Sequence, residues 1–194
     1  YFLVGGLIRS LIRPSMEKFM EDVRRGTLDF ILTKPADAQV LVSIQRMEFW
    51  RTVDIFVGGV VIAVALTRLG SRIGLGEALA FGVTIVAGGL IVYSFWLMLS
   101  TASFWFVKVE NIQVIFMSMY QAGRWPINIY PAWLRLILTF LVPVAFATTV
   151  PAQAFTGRAT LPLMFGSVGL ALLLLVLSRL FWRYGIRFYS GASA

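Results

Sequence analysis

The sequence predicts an all-α fold, a polytopic transmembrane helical bundle, and three observations carry that prediction. Of 194 residues, 59% are apolar and 13% charged, and the mean hydropathy is +0.83. Soluble domains are about half apolar and about one-quarter charged. Four long apolar segments, 52–69, 78–107, 134–154 and 161–182, come near or above the roughly 18 to 20 residues that a helix needs to cross the hydrocarbon core. The basic residues between them alternate in density, as loops on opposite faces of a membrane do.

In chain order, the first element is the apolar run 1–8, which has neither a charged n-region nor a small-residue cleavage site. It is expected to be the inner end of a helix lying mostly upstream, giving four full spans plus a partial one here and six in the complete chain. Segment 9–51 follows, the one substantial polar stretch. Its eight basic residues are interleaved with Glu17, Glu21, Asp22, Asp29, Asp37 and Glu48, which predicts a structured element rather than a basic tail. After Pro14 and Ser15, acceptable helix starters, Met16, Phe19, Met20 and Val23 recur at helical spacing and make one apolar stripe. Glu21 and Arg25 stand at the supportive i,i+4 spacing, and Gly26 stands where a left-handed C-terminal cap would. The pattern predicts a short amphipathic helix over 16–25, parallel to the membrane, then a turn, the apolar stretch 28–32 and a stop at Lys34 and Pro35. Such a helix either floats at the headgroups or docks a cytoplasmic partner.

Segment 52–69 opens on Asp54, the one acid within the first turn of a span, where pairing with Arg51 or water suits a structural role. Segment 78–107 is long for one vertical helix and mildly polar at Tyr93, Ser94, Ser100, Thr101 and Ser103, so it is expected to tilt or to run past the membrane at 104–107. Pro126 and Pro131 flank a stretch that cannot be continuous helix. Pro143 lies inside the third span and Pro151 near its outer end, so kinks are expected, and Thr148 and Thr149 are placed to satisfy freed backbone groups. That region reads as a broken outer gate or as a simple kink. Gly58-Gly59, Gly88-Gly89, Gly166 and Gly169 permit close helix approach, within the chain or at a subunit interface. Trp96, Trp105, Trp125, Tyr130, Trp133, Trp182, Tyr184 and Tyr189 are expected to form an interfacial aromatic belt.

Adding the basic residues of alternate connections puts fourteen on one side and three, Arg68, Arg72 and Arg158, on the other. The positive-inside rule makes the richer side cytoplasmic, the C-terminus included, and puts 70–77 and 155–160 outside. The net charge of +8 is thus topological, and no nucleic-acid partner is expected. The sequence holds no cysteine and no histidine, which excludes metal and haem sites and catalytic dyads that need a thiolate or an imidazole. No acid lies near the middle of a span, which argues against a proton- or sodium-coupled carrier. A phosphate-binding G-x-x-x-x-G-K-[ST] motif is also absent.

Three blocks carry a resemblance. The run Arg24-Arg25-Gly26-Thr27-Leu28-Asp29-Phe30-Ile31-Leu32-Thr33-Lys34-Pro35 resembles the R-x-G-x-L-D-x-x-L-x-K-P signature after the second span of six-span ABC-2-type permeases, in their viologen-exporter-like branch. Gly123-Arg124-Trp125-Pro126-Ile127-Asn128-Ile129-Tyr130-Pro131 is similar to the stretch before the fifth span, and the run from Pro143 to Ala152 to the end of that span. The resemblance implies a membrane-spanning permease subunit of a bacterial ABC exporter in the cytoplasmic (inner) membrane, paired with a second permease, like or unlike. The partner ATP-binding subunit would hold ATP and magnesium, so that this chain binds no cofactor and is not itself an enzyme. On this reading the 16–25 helix is the coupling element, with Arg24, Arg25, Asp29 and Lys34 making polar contacts at the edge of the ATPase. Met16, Phe19 and Met20 face either the membrane bundle or an ATPase groove, and Gly26 and Pro35 are geometric. The competing readings are an ion channel or uncoupled carrier, and a non-transporting subunit of a membrane complex.

Overall fold

The computed structural model describes residues 2–69, 74–106, 114, 118, 121–122, 125, 129–136, 138, 144–158 and 160–189, all in helices and their connections. Helix α1 (Phe2–Leu7) passes through a π-helical turn (Ile8–Ile12) straight into α2 (Arg13–Arg25). Pro14 causes the wide turn. It has no amide to donate, and its ring presses on the carbonyl four residues back, that of Ser10. In the π turn the Arg13 amide reaches back to Ile8 O, and the lack of an amide hydrogen on Pro14 leaves the Ser10 carbonyl without its helical donor. That carbonyl accepts instead from the Glu48 amide at 2.8 Å. The amphipathic helix therefore begins at Arg13 rather than at 16, and continues the incoming helix without a break.

Beyond α2 come two short helices, α3 (Asp29–Leu32) and α4 (Ala38–Ile44). A 3-10 turn (Phe49–Thr52) leads into α5 (Val53–Leu69). Helix α6 (Leu75–Thr101) ends in a 3-10 turn (Ala102–Phe104). The remaining helices are α7 (Ala132–Leu136), α8 (Val144–Phe155) and α9 (Leu161–Gly185), the last followed by a 3-10 turn (Ile186–Phe188). Among the described residues, two helices are by themselves long and apolar enough to cross a membrane, Gly76–Phe104 and Leu161–Phe188. With 17 residues, α5 is about 25 Å long, close to the roughly 30 Å of the hydrocarbon core. The third expected span contains α8 and runs through residues outside the description, Pro143 among them. Pro126 lies outside it too.

Helix α6 is the hub, packed along α8 and α9, while α5 meets the bundle mainly through α1. Glycines make the close crossings. A methyl at Gly88 would stand 2.8 Å from the Cα of Ala147 on α8, one at Gly6 2.6 Å from the Ile55 side chain, and one at Gly185 2.6 Å from Thr101. Gly58 is similarly close to Leu3, whereas Gly59, Gly89, Gly166 and Gly169 face open space. The bundle has two distinct ends. At one, Phe19 packs on Trp182 with ring centroids 5.1 Å apart; at the other, Phe81 packs on Phe155 at 5.2 Å. Helices α6 and α9 therefore run in the same direction and α8 in the opposite one. Segment 9–51 and the end of α9 share the basic end, as alternating loops require.

The best-packed core lies beneath α2 at that end and includes Ile8, Met16, Phe19, Leu28, Trp96 and Trp182. Trp96 and Trp182 are fully buried, so these two are core residues and not the interfacial anchors their positions in sequence suggested. Trp125, Trp133 and Tyr184 are exposed.

Candidate functional site

The basic end presents a platform built from α2, α3, α4 and the turns between them. Its foundation is the apolar stripe of α2. Met16, Phe19 and Met20 are buried against the chain's own bundle, and Phe19 stacks edge-on to Phe104 at 5.6 Å. Of the two faces expected for these residues, the bundle is the one they lie against in this structure.

The outward face is charged and internally paired. Arg13 Nε donates to Glu17 Oε1 at 2.6 Å, Arg25 Nη2 lies 2.7 Å from Glu21 Oε1, and Lys18 Nζ lies 2.9 Å from Asp22 Oδ1. The hydrogen bond to Asp22 raises the Lys18 pKa above its ordinary value. Gly26 ends the helix at φ 68°, a conformation that costs any residue with a Cβ. The Gly26 amide reaches Val23 O at 3.3 Å and the Thr27 amide reaches Asp22 O at 2.9 Å, the paired bonds of a Schellman cap. The Thr27 hydroxyl donates to the Asp22 carboxylate at 2.9 Å, tightening the same corner.

This turn sets the rest of the motif. Leu28 drops into the core, α3 follows at once, and the chain emerges with Arg24, Arg25, Lys34 and Pro35 exposed and Asp29 and Gly26 half-buried. Phe30, on α3 among these charges, is 75% exposed. Sequence reasoning did not single it out, since its apolar neighbours Leu28, Ile31 and Leu32 all turn inward to some degree. A large exposed aromatic in the same segment as exposed arginines is a combination enriched at protein–protein interfaces.

The platform is closed at its base. Besides the Ser10–Glu48 bond, Ser15 Oγ donates to Arg46 O at 2.7 Å and Gln45 Nε2 donates to Ser15 O at 3.3 Å. Asp54 pairs with Arg9 inside the π turn, at 2.8 Å. It does not pair with Arg51, which turns back to Glu48. A charge at a span end is neutralised by the nearest opposite charge in space, which here is 45 residues away in sequence.

Of the proline-rich region, Pro151 lies toward the opposite end, near Phe155, while Pro131 precedes α7 at the start of the third expected span. Pro131 is exposed and its carbonyl accepts the Arg135 amide at 3.0 Å, starting α7. Pro151 sits inside α8 and is buried, with Thr148 and Thr149 half-buried beside it. Thr148 and Pro151 line a cleft of about 270 Å³ between α5 and the α6–α8 pair, whose other walls include Leu3, Gly58, Phe81 and Phe155. Among the described residues lining it, the hydroxyl groups are those of Thr148 and Thr156. No group of three or more acidic or other metal-ligating side chains occurs among the described residues.

A family model described as ABC-2 family transporter protein matches residues 1–193. No curated protein and no solved structure matches the chain. With apolar helices long enough to span a bilayer and a family match over essentially its whole length, the chain is a multi-pass membrane protein that belongs to the ABC-2 family of transporter proteins.

Proposed function

We propose that the chain is the permease subunit of an ABC exporter of the viologen-exporter-like branch, and that the platform of α2, α3 and α4 is where a separate ATP-binding subunit docks. The observation that supports this most directly is the split character of α2. Its apolar stripe is consumed by the chain's own core, so the helix is rigidly mounted, while Arg24, Arg25, Phe30, Lys34 and Pro35 of the same segment are exposed. A rigid mount with an exposed aromatic and a cationic rim suits transmission of force from a partner with an acidic groove. The positive-inside rule puts this surface in the cytoplasm, where ATP is. The cleft beside Thr148 and Pro151 is apolar with hydroxyl groups at one wall, which favours an amphipathic cargo.

Copurification tests the docking. Tagged permease solubilised from its native membrane is expected to bring down an ATP-binding subunit. The combination Arg24→Glu, Arg25→Glu, Phe30→Glu and Lys34→Glu should abolish that association while leaving the permease folded, because every one of these side chains is exposed or lies at the rim. Undiminished copurification of the four-fold variant would rule the platform out as the docking surface.

A further inference from the structure

One polar cluster lies where the platform meets the long spans, away from the cleft. Asp37, in the turn before α4, accepts from both terminal nitrogens of Arg179 on α9, one of them at 2.8 Å. The same carboxylate caps α4, accepting from the Gln39 amide at 3.0 Å and the Val40 amide at 3.3 Å. Arg179 Nη1 also donates to Gln39 Oε1 at 2.9 Å. One turn further along the same face of α4, the Ser43 and Tyr93 hydroxyls lie 2.7 Å apart, and Gln39 Nε2 reaches Tyr93 at 3.5 Å. Tyr93 belongs to α6. One short helix is thus tied by side chains to both long spans at once.

Asp37 and Arg179 are each more than a third exposed, and ion pairs in such surroundings add little stability. Their geometry does more, because a two-pronged guanidinium–carboxylate contact fixes direction as well as distance. We propose that the Asp37–Arg179 fork, with Gln39 and Tyr93, is the joint that makes the platform and the α6–α9 pair move as one body, so that displacement of the platform is passed to those two spans. Asp37 and Arg179 are positioning residues. The proposal rests on the platform being the docking surface. A second tie, the contacts of Phe19 with Phe104 and Trp182, holds α2 to the same spans, and without the fork α4 keeps its Tyr93 bonds to α6 but loses its hold on α9.

The chain has no cysteine, so spin labels can be introduced at chosen sites. Labels at Val40 on α4 and Leu173 on α9, both exposed, report the joint in the permease in lipid nanodiscs, alone and with its ATPase. A control pair at Leu79 and Leu172 reports the two spans themselves. In the otherwise native chain the Val40–Leu173 distance should be single, narrow and the same in the nucleotide-free and the vanadate-trapped complex. Asp37→Asn, which keeps the cap acceptor, and Arg179→Gln should each broaden it, with Arg179→Lys restoring part of the sharpness and the control pair unmoved throughout. A Val40–Leu173 distribution that stays narrow in the first two variants, or that shifts with nucleotide in the native chain, would overturn the joint. Failure of the ATPase to bind counts against the docking surface instead, and is read separately from the width measured on the permease alone.

Discussion

Asp37 serves two partners with one carboxylate, and its titration should show it. The Arg179 guanidinium holds its pKa below the ordinary value of 3.8, with the α4 amides helping. A carboxylate depressed in the folded state contributes stability that is present above its unfolded pKa and lost as pH falls through the folded one. The thermal midpoint of the permease in detergent should therefore fall more steeply than that of Asp37→Asn as pH drops below about 4, and the two should converge at the acid end. With both side chains half-exposed, the difference is expected to be below about 1 kcal/mol. At this scale the sequence was legible where geometry is local. Gly26 could be placed as a left-handed cap because it follows a periodic stripe, and the Glu21–Arg25 pair follows from spacing. Neither the fork from Asp37 to Arg179, 142 residues away, nor the pairing of Asp54 with Arg9 leaves any local trace, so of the partners expected for Asp54, Arg51 or water, neither names Arg9.

Among the elements, α2 depends most on a single side chain. Phe19 is fully buried and touches two aromatic rings from two other segments. Replacing it by alanine should cost about 3–5 kcal/mol by the cavity it leaves, read as a lowered thermal midpoint and as faster amide exchange along α2. The periodicity of Met16, Phe19, Met20 and Val23 was enough to predict an amphipathic helix, but not which way its apolar face turns. Its start was not readable. Pro14 looks like a helix opener in a sequence, and only the Glu48 amide arriving from a distant loop, with the wide turn before it, lets the helix run through. The glycine pairs were half legible: Gly58 and Gly88 are pressed against neighbours and Gly59 and Gly89 are not, a difference set by helix rotation that a doublet in sequence does not encode.

For the molecule as a whole, the apolar segments and the alternation of basic residues were sufficient to give a helical bundle with two unlike ends. The structure gathers segment 9–51 and the end of α9 at one end, and Glu77 and Gly157 at the other. If the basic end is cytoplasmic, single cysteines at Lys34 and at Thr160 should react with a membrane-impermeant maleimide from opposite faces, Thr160 in intact cells and Lys34 only in inverted vesicles. Labelling of both from one face would reject the alternating arrangement. The bonds from Glu48 and Arg46 back to Ser10 and Ser15 bring the two ends of the platform to a single point on the bundle. A segment rooted in this way fixes the spacing at which the chain leaves and re-enters the bundle, so exchanges among its outward-facing side chains leave the stance of α1 and α5 unchanged.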